Sequence, residues 1–225
     1  MAASTPTTES SAGVVGIVLA AGAGRRMGGP KALIGPLAAE GRTPLARVCS
    51  WVHEAGCARV IAVIGAEADR VREALQLDPC VSGGVVVPSQ QQVRQQSPAD
   101  SWLEIVEASD WNSGMGASLR TGLSAARRTL EPAALVTLVD LPDVRSQIYR
   151  HVLDAAGSAS DVLARACYGG RPGHPVVVGR DWWDAVEASA VGDQGARELF
   201  SRTPHRLIEC GHFGTGEDVD RPADR

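Results

Sequence analysis

The sequence predicts an α/β chain of three layers, helices on both faces of a mostly parallel sheet, and three observations carry that prediction. A buried-strand pattern at 14–19, VVGIVL, breaks at once into a glycine-rich, basic loop, the way a strand feeds a phosphate-binding turn. Strand-length apolar runs then alternate with amphipathic segments, as in βαβαβ units. A second apolar run at 133–140, AALVTLVD, ends in an acid, which places Asp140 at the carboxyl end of a strand, where open α/β sheets bind ligands.

The totals set the outer limits. A chain of 225 residues, 44% of them hydrophobic, can bury a full core and is most economically one domain, expected over 14–225 behind a polar, disordered tail at 1–13. Its net charge of −4 argues against a nucleic-acid or anionic-membrane surface, so the arginines must work locally. Five cysteines without a C-x-x-C pair fit structural thiols in a reducing compartment and offer no metal-ligand spacing. The first residues lack the basic start and apolar core of a signal peptide, and a cytoplasmic location is expected.

The loop after the first strand is the most informative stretch. Gly22, Gly24, Gly28 and Gly29 let the backbone approach an anion, while Arg25, Arg26 and Lys31 supply charge. A dinucleotide fingerprint fails at Met27, and a Walker loop fails at Pro30 and Ala32. Lys31 is the one lysine in the chain, against 21 arginines among 22 basic residues. A compact ammonium kept in so arginine-biased a composition suggests a phosphate contact.

Beyond the loop, Thr43-Pro44 is a helix start, with a capping hydroxyl followed by proline at the first helical position. Residues 59–64 read as a second strand, 66–75 as a solvated amphipathic helix and 85–87 as a short third strand; 89–100 is a polar, glutamine-rich loop, and 102–109 holds a further strand. A second glycine loop, Asp110 to Gly116, feeds a helix whose N-terminus can meet an anion or a polar base edge; Met115 packing into the core is the plainer reading. After Asp140, Pro142 stops the strand and 143–157 reads as a helix. VLARACY at 162–168 leads into a turn from Gly169 to Pro175 and another apolar strand. A helix opening at Asp181-Trp182-Trp183 should bury at least one tryptophan, and HRLIEC at 205–210 is a last strand. Asp193 reads as a helix N-cap, and His174 equally as a turn histidine bonding its own loop.

Leu19 to Lys31, LAAGAGRRMGGPK, resembles the signature loop of the MobA-like nucleotidyltransferases, most closely the molybdenum-cofactor cytidylyltransferases. GMGASLRTGL, the GHP turn, GDQGAR at 192–197 and an acidic tail around Asp220 follow in family order, with Arg221 and Ala223 departing from the family's tail. The resemblance implies a single-domain, Rossmann-like, three-layer α/β/α nucleotidyltransferase fold that transfers CMP from CTP to the phosphate of molybdenum-molybdopterin, releasing pyrophosphate. It implies a nucleotide site at Leu19, Ala20, Ala21, Gly22, Gly24, Arg26, Met27, Gly28, Lys31, Gly114 and Ser118, with Lys31, Arg26 and Asp140 catalytic. It further implies acceptor contacts at His174 and Asp193, Mg²⁺ on Asp140 and Asp220, and an apo molybdenum hydroxylase as recipient of the product. A guanylyltransferase, a sugar- or polyol-phosphate nucleotidyltransferase, a non-catalytic accessory protein and a nucleotide-dependent oxidoreductase are the alternatives.

Overall fold

The computed structural model describes residues 13–38, 41–79, 81, 85–86 and 101–219. The expected tail up to residue 12, the glutamine-rich stretch at 89–100 and Asp220 lie outside the described residues. Strands β1 (Val14–Leu19), β2 (Val60–Ile64), β3 (Val85–Val86), β4 (Leu103–Glu107), β5 (Ala133–Leu138), β6 (Leu163–Tyr168), β7 (Arg171–Gly179) and β8 (Arg206–Glu209) form one sheet in the order β3-β4-β2-β1-β5-β7-β6-β8. Only β7 runs against the others, so the sheet is mostly parallel, as the alternating pattern predicts.

Helices α1 (Pro44–Glu54), α2 (Ala68–Leu77) and α4 (Ser146–Ala156) cover one face of the sheet, while α3 (Met115–Ala126), α5 (Trp183–Ser189) and α6 (Arg197–Arg202) cover the other. The pleat of β1 divides its side chains accordingly: Val14 and Val18 join the core beneath α1 and α4, Val15, Ile17 and Leu19 the core beneath α3. Local signals place the helix ends. Thr43 accepts from the Ala46 amide at 3.1 Å with Pro44 in the first turn, the start its sequence announces. Trp183 is fully buried, whereas Trp182 only flanks the core.

The turn read at 169–175 is much shorter. Gly169 and Gly170, with φ of 58° and 78°, make a two-residue hairpin turn, and Arg171 to Pro175 already belong to β7. Paired positive φ suits the twist of the flanking strands, and Pro172 sits at the ladder's irregularity, where its missing N–H costs no regular bond.

Glu209 anchors this hairpin. Its Oε1 accepts from the Gly169 amide at 3.0 Å and the Gly211 amide at 2.7 Å, its Oε2 from the Gly170 amide and the Cys167 thiol at 3.3 Å each. These bonds, Gly169's foremost, lower its carboxyl from 4.5 to about 2. A depressed folded value adds stability that is complete above the ordinary carboxylate range and is lost as pH falls from 4.5 through about 2. Glu209→Gln is therefore expected to lower the melting temperature at neutral pH and to flatten its decline across that acid window. Thermal melts against pH check both.

Candidate active site

The strand order reverses beside β1, whose neighbours are β2 on one side and β5 on the other, and a cavity of about 410 Å³ opens at the carboxyl ends of β1 and β5. Its first wall is the loop after β1. Gly24 adopts φ 54°, ψ 36°, and its carbonyl accepts from the Met27 amide at 2.8 Å and the Gly29 amide at 3.3 Å. A Cβ there would lie 1.9 Å from the Gly29 carbonyl oxygen, so both conformation and contact require glycine. The 3₁₀ turn at Arg25–Met27 sends successive side chains in different directions. Arg25 reaches the cavity, exposed Arg26 and Gly28 do not line it, and Met27 lines a narrow adjoining cleft with Lys31, Asp140 and Val219.

The opposite wall is the N-terminus of α3, where Gly114 and Ser118 face the cavity together with Trp111, Asn112 and Met115. Met115 is 38% exposed, so it is part of this wall and not of the core. Asp193 makes no cap of its own helix. Its Oδ1 instead accepts from the Met115 amide at 3.4 Å, laying the 192–194 turn against α3 and inside the cavity.

Between the walls, Asp140 stands two residues past the end of β5, on a strand shorter than the apolar run suggests. Its Oδ2 accepts from Lys31 Nζ at 2.7 Å, with the two side chains 17% and 19% exposed. Among the described residues its Oδ1 is buried without a hydrogen-bond partner, a carboxylate oxygen left to be satisfied by something else. The tail meets this point: Asp143 Oδ2 accepts from the Thr215 hydroxyl at 2.7 Å, and the Val219 amide donates to the Asp140 carbonyl at 3.1 Å.

Lys31 and Asp140 are thus brought together with Leu19, Ala20, Ala21, Gly22, Gly24, Gly114 and Ser118 around one cavity. His174 does not line it; it sits half-buried on β7, held down to about 4 by burial and then by the charges of Arg165 and Arg197. Arg25, Trp111 and Asn112 are cavity residues that motif matching passes over. The second glycine loop is the signal that could have found the last two. Among the described residues the buried thiols are poor nucleophiles, since desolvation pushes Cys49 up strongly, Cys57 up to about 12 and Cys210 up to about 11, and raises Cys167 as well.

Among the described residues no group of three or more His, Cys, Asp or Glu side chains could hold a metal alone. The unsatisfied Asp140 Oδ1 nevertheless fits Mg²⁺, which is commonly held by one or two carboxylates plus substrate phosphates and water. No helix among these residues is long and apolar enough to cross a membrane.

Residues 16–207 match the MobA-like NTP transferase domain. A relative from Paenarthrobacter nicotinovorans, named nicotine blue oxidoreductase, is 33% identical over 217 residues, 92% of each chain. Among solved structures, the Mycobacterium tuberculosis protein Rv0371c is 25% identical with a TM-score of 0.65, over 94% of this chain and 95% of its own. A nucleotidyl transferase from Methanothermobacter thermautotroptrophicus, 19% identical, shares the fold with a TM-score of 0.68 over 93% of this chain and 92% of its own.

Proposed function

The chain belongs to the MobA-like NTP transferase family, and from that premise we propose that it transfers CMP from CTP to the phosphate of molybdenum-molybdopterin, releasing pyrophosphate. The observation that supports it most is the Lys31–Asp140 pair, set between a phosphate-type glycine loop and a helix N-terminus at the sheet's reversal point.

The acceptor's phosphate oxygen is already anionic, so it attacks the α-phosphorus without a protein nucleophile or strong base. A new P–O bond forms, the bond to the bridging oxygen breaks, and pyrophosphate leaves with that electron pair. What the protein must supply is in-line placement and neutralisation of crowded negative charge. Lys31, Arg25 and the loop amides meet the β- and γ-phosphates, and the N-terminus of α3 with Trp111 receives the nucleoside. Asp140, with Asp220 as its expected partner, would hold Mg²⁺, which supplies charge compensation between triphosphate oxygens. The product is expected to be handed to an apo molybdenum hydroxylase.

Cytosine is the preferred base on the evidence of Ala21, which lines the cavity where the guanylyl branch of the family tends to carry glycine. A methyl group at a backbone-lined wall narrows the space left for a purine. CTP is expected to be used at least about ten-fold more efficiently than GTP, in line with what one steric difference can discriminate. Pyrophosphate release with each nucleoside triphosphate, Mg²⁺ and molybdenum cofactor, with the dinucleotide identified by mass, tests the whole reading; equal turnover of CTP and GTP overturns the base preference.

One observation favours a second reading. The Paenarthrobacter nicotinovorans relative carries an oxidoreductase name at 33% identity, so the cavity could instead seat a reduced nicotinamide dinucleotide that gives a hydride to an organic acceptor. Oxidation of NADH or NADPH with an acceptor dye, in the absence of pyrophosphate release, would favour it.

A further inference from the structure

The chain beyond β8 returns toward the middle of the sheet as a strap. From Cys210, whose carbonyl accepts from the Phe213 amide at 2.8 Å, it passes Tyr168 at the carboxyl end of β6 and reaches Asp140 beyond β5. No residue of 214–219 is buried in the core, so the strap is not held by apolar packing. It is nevertheless fixed at three points. Asp143 Oδ2 accepts from the Thr215 hydroxyl at 2.7 Å, from the Thr215 amide, and from the Gly216 amide at 3.3 Å. Gly216, at φ 65°, lies against the Tyr168 ring, where a Cβ would stand 2.2 Å from Cε2. The Val219 amide closes the strap on the Asp140 carbonyl at 3.1 Å. Ordering an exposed segment costs backbone entropy, and here the return on it falls at Asp140.

Latch and acid share one short turn. Asp143 follows Asp140 by three residues, and between them Leu141 is buried and its carbonyl accepts from the Val144 amide at 3.2 Å. Asp140 stands beyond the β5 ladder, so the bond from Val219 replaces the strand pairing that would otherwise hold its carbonyl. Val219 also completes the narrow cleft it shares with Met27, Lys31 and Asp140. Covering an ion pair in this way lowers the local dielectric and strengthens the attraction between its charges. The charge-assisted bonds of Asp143 therefore reach Asp140 by two routes, through its backbone and through the cover over its side chain.

We infer that Asp143 is a positioning residue for the Lys31–Asp140 pair: by holding Thr215 and Gly216 it keeps Val219 on the Asp140 backbone, so that the Asp140 carboxylate stays in one orientation, Oδ2 toward Lys31 and Oδ1 left for a cation. Asp143 acts only through the strap. Its own Oδ2 is taken up by Thr215 and Gly216. The inference rests on the nucleotidyl-transfer reading for its consequence and on Asp143 and residues 214–219 for its location; it asks nothing of the chain beyond Val219.

The test uses the full chain with CMP present, Mn²⁺ as the probe in place of Mg²⁺, and electron paramagnetic resonance to count the free ion. Asp143→Ala is expected to weaken Mn²⁺ binding by about 10- to 100-fold, the usual range for a group that orients a metal-binding side chain, and to lower kcat to a similar degree while leaving the CTP KM within about two-fold. Asp143→Asn, whose amide oxygen accepts the same Thr215 bonds, should recover most of both. An asparagine as poor as alanine overturns the latch, because the charge itself would then be acting on the cation. Gly216→Ala lifts the strap off Tyr168 without altering any charge, and it should reproduce the loss. Thr215→Val added to Asp143→Ala should cost nothing further, since both remove one contact. Unchanged Mn²⁺ affinity in folded Gly216→Ala, additive losses in the double variant, or a wild type that takes up no Mn²⁺ each overturn the inference. Should Asp143→Ala fail to fold, Gly216→Ala carries the measurement alone. If the variants lose Mn²⁺ while the wild type transfers to no acceptor, the latch stands and nucleotidyl transfer fails; pyrophosphate release with unchanged Mn²⁺ affinity in the variants has the opposite meaning.

Discussion

Asp140→Asn is expected to lower pyrophosphate release by about 10²- to 10³-fold, the usual cost of removing one preorganised electrostatic group, with a melting temperature within a few degrees of wild type. The substitution keeps the size and the hydrogen-bonding capacity of the side chain, so packing at the end of β5 is preserved. What it removes is the charge that a hard divalent cation requires of its oxygen ligands, at an atom, Oδ1, that has no hydrogen-bond partner among the described residues. It also leaves Lys31 facing a neutral amide where it now meets a carboxylate at 2.7 Å. Were Asp140 only tying Lys31 to the strand end, asparagine would accept the same hydrogen bond and activity would survive. Lys31→Ala separates the two roles: it should leave the metal-dependent step in place but weaken triphosphate binding. Near-normal turnover by Asp140→Asn at saturating Mg²⁺ would show that the metal belongs to another residue.

Gly24→Ala is expected to weaken nucleotide binding by about 100-fold or more while shifting the melting temperature little. An alanine at φ 54°, ψ 36° carries about 1–2 kcal/mol of left-handed strain. The larger effect is steric, because its methyl would stand 1.9 Å from the Gly29 carbonyl oxygen and so force open the turn that aims the loop amides. The turn at Arg25–Met27 contributes no buried residue, which is why stability barely registers the change. Gly22→Ala is the informative control. A Cβ there meets nothing within 4 Å, so the protein without nucleotide should be unaltered. Loss of nucleotide affinity in Gly22→Ala would then report a ligand occupying that space, and unchanged affinity would move the phosphates elsewhere along the loop. Equilibrium titration with CTP, alongside thermal melts, reads both variants.

Helix α1 shows how far local signals reach. Thr43-Pro44 predicts its start, and the structure finds the cap where the sequence announces it, because a capping hydroxyl and a fixed proline φ act within one turn. Strands β1, β2 and β5 are legible for a related reason: a strand covered by helices on both faces reads as a nearly continuous apolar run. Their ends are less legible. The apolar run at 133–140 continues two residues past β5, since Val139 and Asp140 are buried or half-buried by the site and not by the ladder. The hairpin at Gly169–Gly170 was obscured by a stretch in which five of seven residues are glycine or proline, any of which can turn a chain. Only pairing with β6 decides which two do.

The sequence by itself determined a mostly parallel three-layer α/β protein with a phosphate loop after its first strand and an acid at the end of a later one. Periodicity, glycine spacing and capping are properties of neighbours along the chain, and a single reading direction exposes them. Only the tertiary structure decided that Arg25 rather than Arg26 lines the cavity, that Asp193 seats itself against the amide of Met115 instead of capping its own helix, and that Glu209 reaches the amides of the Gly169–Gly170 turn. Those outcomes depend on crossover connections and on the hand of a single 3₁₀ turn, which bring together residues dozens of positions apart and leave no local signal at any of them.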